Sequence, residues 1–179
     1  MTNYAVFLRG INVGGINLKM ADLRAALATL PLGRTKTLLA SGNVVCAFDG
    51  TAAKLKVMVE TLLRERFGYD AWVVVTTAAQ LDAIIAACPW PADDASTHSY
   101  VTLSSVPAVL DELARHGGEI AGVEFARLSP EAIAWPAKAG GTLDSPFSKL
   151  TARPRYKSTT TTRNLRTLLK CQEAMAAFA

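Results

Sequence analysis

Apolar and polar positions follow two different periods along this chain, and the switches between them mark its elements. Tyr4–Leu8 is a continuous apolar run ending at Arg9-Gly10, which reads as a strand feeding a glycine-rich connection. Met20, Leu23, Leu27 and Leu30 then recur at three- and four-residue spacing, one face of a helix stopped by Pro31. Thr37–Ala40 and Val44–Phe48 flank Ser41-Gly42-Asn43 and predict a hairpin. Leu55, Val59, Leu62, Leu63 and Phe67 predict a second helix, with Gly68 as its C′ stop. Trp72–Val75 is β-branched and apolar, the mark of a buried strand. The order β-α-β-β-α-β is the split βαβ pattern, so the chain is α+β with a ferredoxin-like plait at its front.

A third helix follows, in which Thr77 and Gln80 fit a capping box and Leu81, Ile84 and Ile85 form the apolar face. Pro89–Ser96, rich in Pro and Asp, reads as a linker. Beyond it the first pattern returns in weaker form. Tyr100–Leu103 predicts a strand, and Pro107 opens a helix carrying Leu110 and Leu113 and ending at Gly117. Val123–Leu128 and Ala132–Trp135 flank Ser129-Pro130 as another hairpin, and Asp144–Leu150 starts a helix. This second half therefore reads as a related βαββα unit. Arg153–Thr162 reads as a basic, Thr-rich loop, and Leu165, Leu168, Leu169 and Met175 as a C-terminal helix with Thr162 at its N-cap. The expected lobes are residues 1–88 and 97–179.

Composition narrows the class. Half of the 179 residues are hydrophobic and 19% are charged, a globular balance. No apolar run approaches the roughly 20 residues of a membrane helix, and no leader pattern precedes the first strand. Three dispersed cysteines fit a reducing compartment, so the expected location is the cytoplasm. With only two histidines and no CxxC, neither a metal site nor a cofactor is expected. The net charge of +4 is unevenly spread: seven cations and no carboxylate lie between Lys149 and Lys170, leaving the remainder net negative.

The most unusual segment is Arg9-Gly10-Ile11-Asn12-Val13-Gly14-Gly15. Glycines there let backbone N–H groups approach a ligand, yet the segment lacks both the Walker A and the GxGxxG spacing. A sheet ordered 4-1-3-2 would place the Ser41-Gly42-Asn43 hairpin and the Gly68-Tyr69-Asp70 turn at the same edge as this loop. Candidate ligand-binding residues are therefore Arg9, Gly10, Asn12, Gly14, Gly15, Ser41 and Asn43. Lys149, Arg163 and Asn164 join them as candidates; a cation such as Arg163 at a helix N-terminus opposes the dipole and calls for an anionic partner. A structural salt bridge is the competing explanation for Arg163, and a plain turn for Ser41–Asn43. Asp93-Asp94 reads as a solvated pair in the linker, and no Asp or Ser spacing makes His98 part of a triad.

Arg9–Gly15, Lys19-Met20, Ser41-Gly42-Asn43-Val44, Ser148-Lys149-Leu150 and Thr162-Arg163-Asn164 with Thr167 occur in order. Together they resemble the bacterial family known as domain of unknown function 1697, over residue 4 to about residue 170. The resemblance implies a ferredoxin-like α/β plait and brings no established activity.

Three functions compete. The first is binding, with or without processing, of a small anionic or phosphate-bearing ligand at the glycine-rich edge. No general base or nucleophile is legible, so no reaction class follows. The second is nucleic-acid binding through residues 149–170, against which Val44–Phe48 lacks the stacking aromatics of RNA-recognition plaits. The third is a protein–protein module. Oligomeric state is left open.

Overall fold

A computed structural model describes residues 1–9, 18–68, 70–92 and 94–178. Among these residues lie eight strands in two four-stranded antiparallel sheets, together with seven α-helices. Packing divides the chain into two units, Met1–Asp82 with Lys170–Ala179, and Ala83–Leu169. The sequence reading carried the second lobe through residue 179, whereas Lys170–Ala179 group with the first unit.

In the first unit the strands are β1 (Thr2–Arg9), β2 (Thr35–Leu38), β3 (Asn43–Phe48) and β4 (Trp72–Thr77), in the spatial order β2-β3-β1-β4. That is the order the split βαβ pattern requires. Helices α1 (Met20–Leu27) and α2 (Ala52–Phe67) cover one face, where Leu23, Leu27, Leu55, Val59 and Leu63 meet Tyr4, Val6, Leu8, Cys46 and Val73. The alternate residues of the sheet, among them Ala5, Phe7, Val45 and Val74, are buried as well. A sheet covered on both faces is why its strands read as unbroken apolar runs. Thr51 caps α2 by accepting from the Lys54 N–H at 3.2 Å, and Gly68 ends the helix at φ 65°.

The edge strand β4 is shielded by its own helix. The Lys56 ammonium donates to the Val73 carbonyl at 2.8 Å and pairs with Glu60, whose carboxylate accepts from the Val73 N–H at 3.0 Å. These two side chains occupy the donor and acceptor that an exposed edge would offer to another chain.

The second unit repeats the plan with β5 (Thr97–Ser104), α4 (Pro107–Gly118), β6 (Ala126–Ser129), β7 (Ala132–Lys138), α5 (Pro146–Thr151), α6 (Pro154–Lys157) and β8 (Thr160–Asn164). Its spatial order β6-β7-β5-β8 is the first sheet's order again. Here the sequence reading is corrected: Arg153–Thr162 is not a loop, because Pro154–Lys157 is a helical turn and Thr160–Asn164 is the fourth strand. The β-branched threonine run suits a pleated surface, and Thr162 Oγ1 lies 2.9 Å from Thr102 Oγ1 on β5. The second half is thus a full βαββαβ unit.

A helix follows each plait directly. Helix α3 (Ala78–Ala87) starts at the end of β4, and α7 (Leu165–Ala176) at the end of β8. Thr77 and Gln80 form the predicted capping box, with Gln80 Oε1 accepting from the Thr77 N–H at 2.9 Å and Thr77 Oγ1 from the Gln80 N–H at 3.2 Å. The cap of α7 is Asn164 rather than Thr162, its Oδ1 accepting from the Arg166 N–H at 2.9 Å. Thr77 pairs with Tyr4 and Asn164 with Tyr100, so the two caps hold the same place in the repeat.

Candidate functional site

The antiparallel register settles what meets at the end of the first sheet. β1 pairs with β3 as far as Phe7 opposite Asn43, and the Leu8 N–H donates to the Gly42 carbonyl at 2.8 Å. On its other side Arg9 stands opposite Trp72, the first residue of β4. Arg9, the loop of residues 39–42 and the start of β4 therefore share one sheet edge. Gly10, Asn12, Gly14 and Gly15 lie outside the described residues.

Arg9 is half-buried, and burial lowers the pKa of its guanidinium from the ordinary value. Among the described residues it has no carboxylate partner. Asp70, two residues before Trp72, accepts from Arg64 Nη2 at 3.0 Å. A cation drawn partly out of water without a counter-charge is an electrostatic cost that a bound anion removes.

The hairpin beside it is held internally. Asn43 is fully buried, and its Nδ2 donates to the Leu38 carbonyl at 2.9 Å and to Ser41 Oγ at 3.0 Å. This amide ties the turn together, as a hairpin residue does. Gly42 turns the chain at φ 74°. Leu39 was missed by the sequence reading. It adopts φ 59° and is 45% exposed, although a left-handed backbone costs a residue other than glycine about 1–2 kcal/mol. A leucine next to a turn carries no sign of this in sequence, since the dihedral follows from how the loop closes. Trp72 Nε1 is buried without a hydrogen-bond partner among the described residues, and the Lys56 ammonium stands 3.7 Å from the centroid of its ring.

The remaining candidates belong to the second unit. Lys149 lies on α5, with Nζ 4.0 Å from Asp144. Arg163 does not open the last helix but sits in β8 opposite Val101, 8% exposed. Its Nη1 donates to Thr161 Oγ1 at 2.7 Å and to the Thr162 carbonyl at 2.9 Å. The dipole argument for Arg163 therefore falls, because the residue precedes the helix within a strand. Asn164 is the α7 cap.

The basic segment is less uniform in space than in sequence. Arg163 is buried, and Arg155 pairs with Glu112 at 2.5 Å. The sheet face on which RNA-recognition plaits stack bases carries Ala5, Phe7, Val45 and Val74 here, all buried.

One cleft of about 500 Å³ in the second unit is lined by Pro107, Asp111, Arg127 and Pro130. Arg127 Nη2 donates to Asp111 at 2.9 Å and to the Pro130 carbonyl at 2.8 Å, binding the β6–β7 turn to the first turns of α4. Among the described residues no group of three or more His, Cys, Asp and Glu side chains could hold a metal ion.

Fold and register together define a tandem α/β plait of βαββαβα repeats. The chain belongs to the family described as protein of unknown function DUF1697, which matches residues 1–128. The Ser148-Lys149-Leu150 and Thr162-Arg163-Asn164 motifs, counted in the resemblance, lie beyond that match. The fold is similar to that of the conserved bacterial protein SP0830 from Streptococcus pneumoniae, with a TM-score of 0.79 and 23% identity over 98% of this chain and 99% of that one. No curated protein matches the chain.

Proposed function

We propose that this protein binds a small anionic ligand at the end of its first sheet, where Arg9 lies between the β2–β3 hairpin and Trp72. The observation that carries the reading is Arg9 itself, half-buried and without a carboxylate partner among the described residues. A guanidinium in that position offers two parallel N–H groups to a carboxylate or phosphate, a geometry that lysine does not reproduce. The three free cysteines suit a reducing compartment, which favours a cytoplasmic location for this binder. No helix among the described residues is long and apolar enough to cross a membrane.

The test is calorimetric titration of acetate, inorganic phosphate and a panel of organic acids and phosphate esters into wild type and Arg9→Lys. Loss of a charge-assisted hydrogen bond of about 1.5–3 kcal/mol predicts about a 10- to 100-fold weaker affinity in Arg9→Lys, with the melting temperature preserved. Equal affinities in the two proteins, or no binding of any anion by wild type, would sink the reading.

A further inference from the structure

In the second unit the cations that the fold leaves outside gather at one corner. We infer that Arg153, Arg155 and Lys157 at α6, with Arg115 on α4, bind the phosphate backbone of nucleic acid without reading its bases. Arg153 and Lys157 are exposed and have no carboxylate partner among the described residues. Arg155 meets Glu112 at 2.5 Å, yet its side chain is 70% exposed. Arg115 pairs with Glu119 at 2.8 Å, and its Nη2 lies 3.0 Å from His116 Nε2. Ion pairs this open to water contribute little, and each guanidinium keeps further N–H donors for a phosphate. The group is anchored by Tyr156, 2% exposed, whose ring centroid stands 6.4 Å from that of His116. Its hydroxyl makes no hydrogen bond among the described residues. Burial and then Glu112 raise the pKa of that hydroxyl, while Arg155, Arg153 and Arg115 lower it. Three guanidinium groups thus stand around one free hydroxyl donor.

The surroundings favour a nucleic acid over other polyanions. Beside the cations, residues 152–158 expose only Ala152, Pro154 and Ser158. A protein partner would need an apolar or aromatic anchor there, an anionic membrane an apolar face, and base stacking an aromatic platform. Charge and hydrogen-bond donors remain, the equipment that contacts phosphates and carries no sequence information. The field is also local. Lys149 to Lys170 holds seven cations and no carboxylate while the remainder of the chain is net negative, which steers a polyanion to this surface. A single phosphate engages one or two of these groups; a strand engages them together, and its affinity comes from their number. The surface does not rest on the site at Arg9.

Fluorescence anisotropy with labelled oligothymidylate, oligouridylate and a DNA duplex, read between about 50 and 200 mM salt, tests this. Contact with three or four phosphates gives log K a slope of about −2 to −3.5 against log salt. Affinity for at least one of the three probes should therefore fall about 20- to 100-fold over that range. Arg153→Glu combined with Lys157→Glu should weaken binding at least about tenfold at the lower salt and flatten the slope by about 1.5–2. Both side chains are exposed, so the melting temperature should stay within about 2 °C. Lys36→Glu combined with Lys54→Glu makes the same change of charge at exposed positions of the first unit, and should cost less than about threefold. Equal losses in the two double variants would show that net charge, not this surface, attracts the strand. Poly-glutamate bound as tightly as the oligonucleotides would make the partner an acidic protein. Either result overturns the inference, as does a flat salt dependence or the absence of binding to all three probes at about 50 mM salt.

Discussion

The two sheets share one topology, yet their corresponding ends are finished differently. In the first, the Leu8 N–H donates to the Gly42 carbonyl at 2.8 Å; in the second, the Ser104 N–H donates to the Glu131 carbonyl at 3.1 Å. That equivalence puts Ser105 where the first repeat has Arg9. The first connection, from Gly10 to Lys19, is ten residues long, and the second is only Ser105-Val106. At the second end hydroxyl groups complete the structure. Ser104 Oγ accepts from the Val106 N–H at 3.0 Å and donates to the Thr159 carbonyl at 2.9 Å, while Ser129 Oγ accepts from the Glu131 N–H at 3.1 Å. The lesson is that a plait needs neither a long glycine-rich connection nor an arginine to close this end. Where both occur, the fold alone does not explain them.

The cores differ at equivalent positions too. Cys46 stands opposite Tyr4, and Trp135 opposite Tyr100. The first core is built largely from aliphatic side chains. The second is centred on Trp135, stacked on Tyr100 with ring centroids 4.8 Å apart and 5.8 Å from Phe147. The indole N–H of Trp135 donates to Thr102 Oγ1 at 2.9 Å.

The largest effect should come from that ring. Trp135→Ala removes a fully buried indole and one donor to Thr102, and should cost about 3–5 kcal/mol in urea unfolding. A loss below about 1 kcal/mol would mean that the two cores do not differ as described.

Cys46 should produce a smaller, pH-dependent effect. Burial pushes its thiol up to about 12, above the ordinary thiol value near 8.5. The folded protein therefore keeps a proton that the unfolded chain releases, so stability is full below about pH 8.5 and is lost as pH rises towards 12. Stability measured at pH 8 and pH 10 should fall about 2 kcal/mol more in wild type than in Cys46→Ala. Parallel losses in the two proteins would contradict the burial argument.

The smallest effect bears directly on the two sheet ends. Ser105→Arg places a guanidinium at the second end in the position equivalent to Arg9. Ser105 is exposed, so the change should move stability by less than about 0.5 kcal/mol. It should add no second anion-binding event to the wild-type titration. A new binding event would show that arginine at this position suffices, and that the hairpin and neighbouring strand of the first unit contribute nothing.

Much of this molecule was written in local pattern. The period of the apolar residues, Gly68 and the Thr77–Gln80 capping box marked the elements of the first unit, because periodicity and caps act within a few residues. The strand order followed from topology, and with it the meeting of Arg9 and the Ser41–Asn43 hairpin at one edge. Tertiary structure decided the rest. Arg153–Thr162 carries cations and threonines that suit a loop as well as a strand. Only pairing with β5 turned its last part into β8, buried Arg163 and moved the helix cap to Asn164. Pairing joins residues some sixty positions apart, for example Thr102 and Thr162, and no local pattern records it. The left-handed backbone of Leu39 is of the same kind, since it arises when a hairpin closes between strands whose register is set elsewhere in the sheet. Sequence alone determined the elements and strand order of the first unit; the assembled sheets determined the last strand and which side chains were left strained, desolvated or exposed, because those properties depend on neighbours that only paired strands supply.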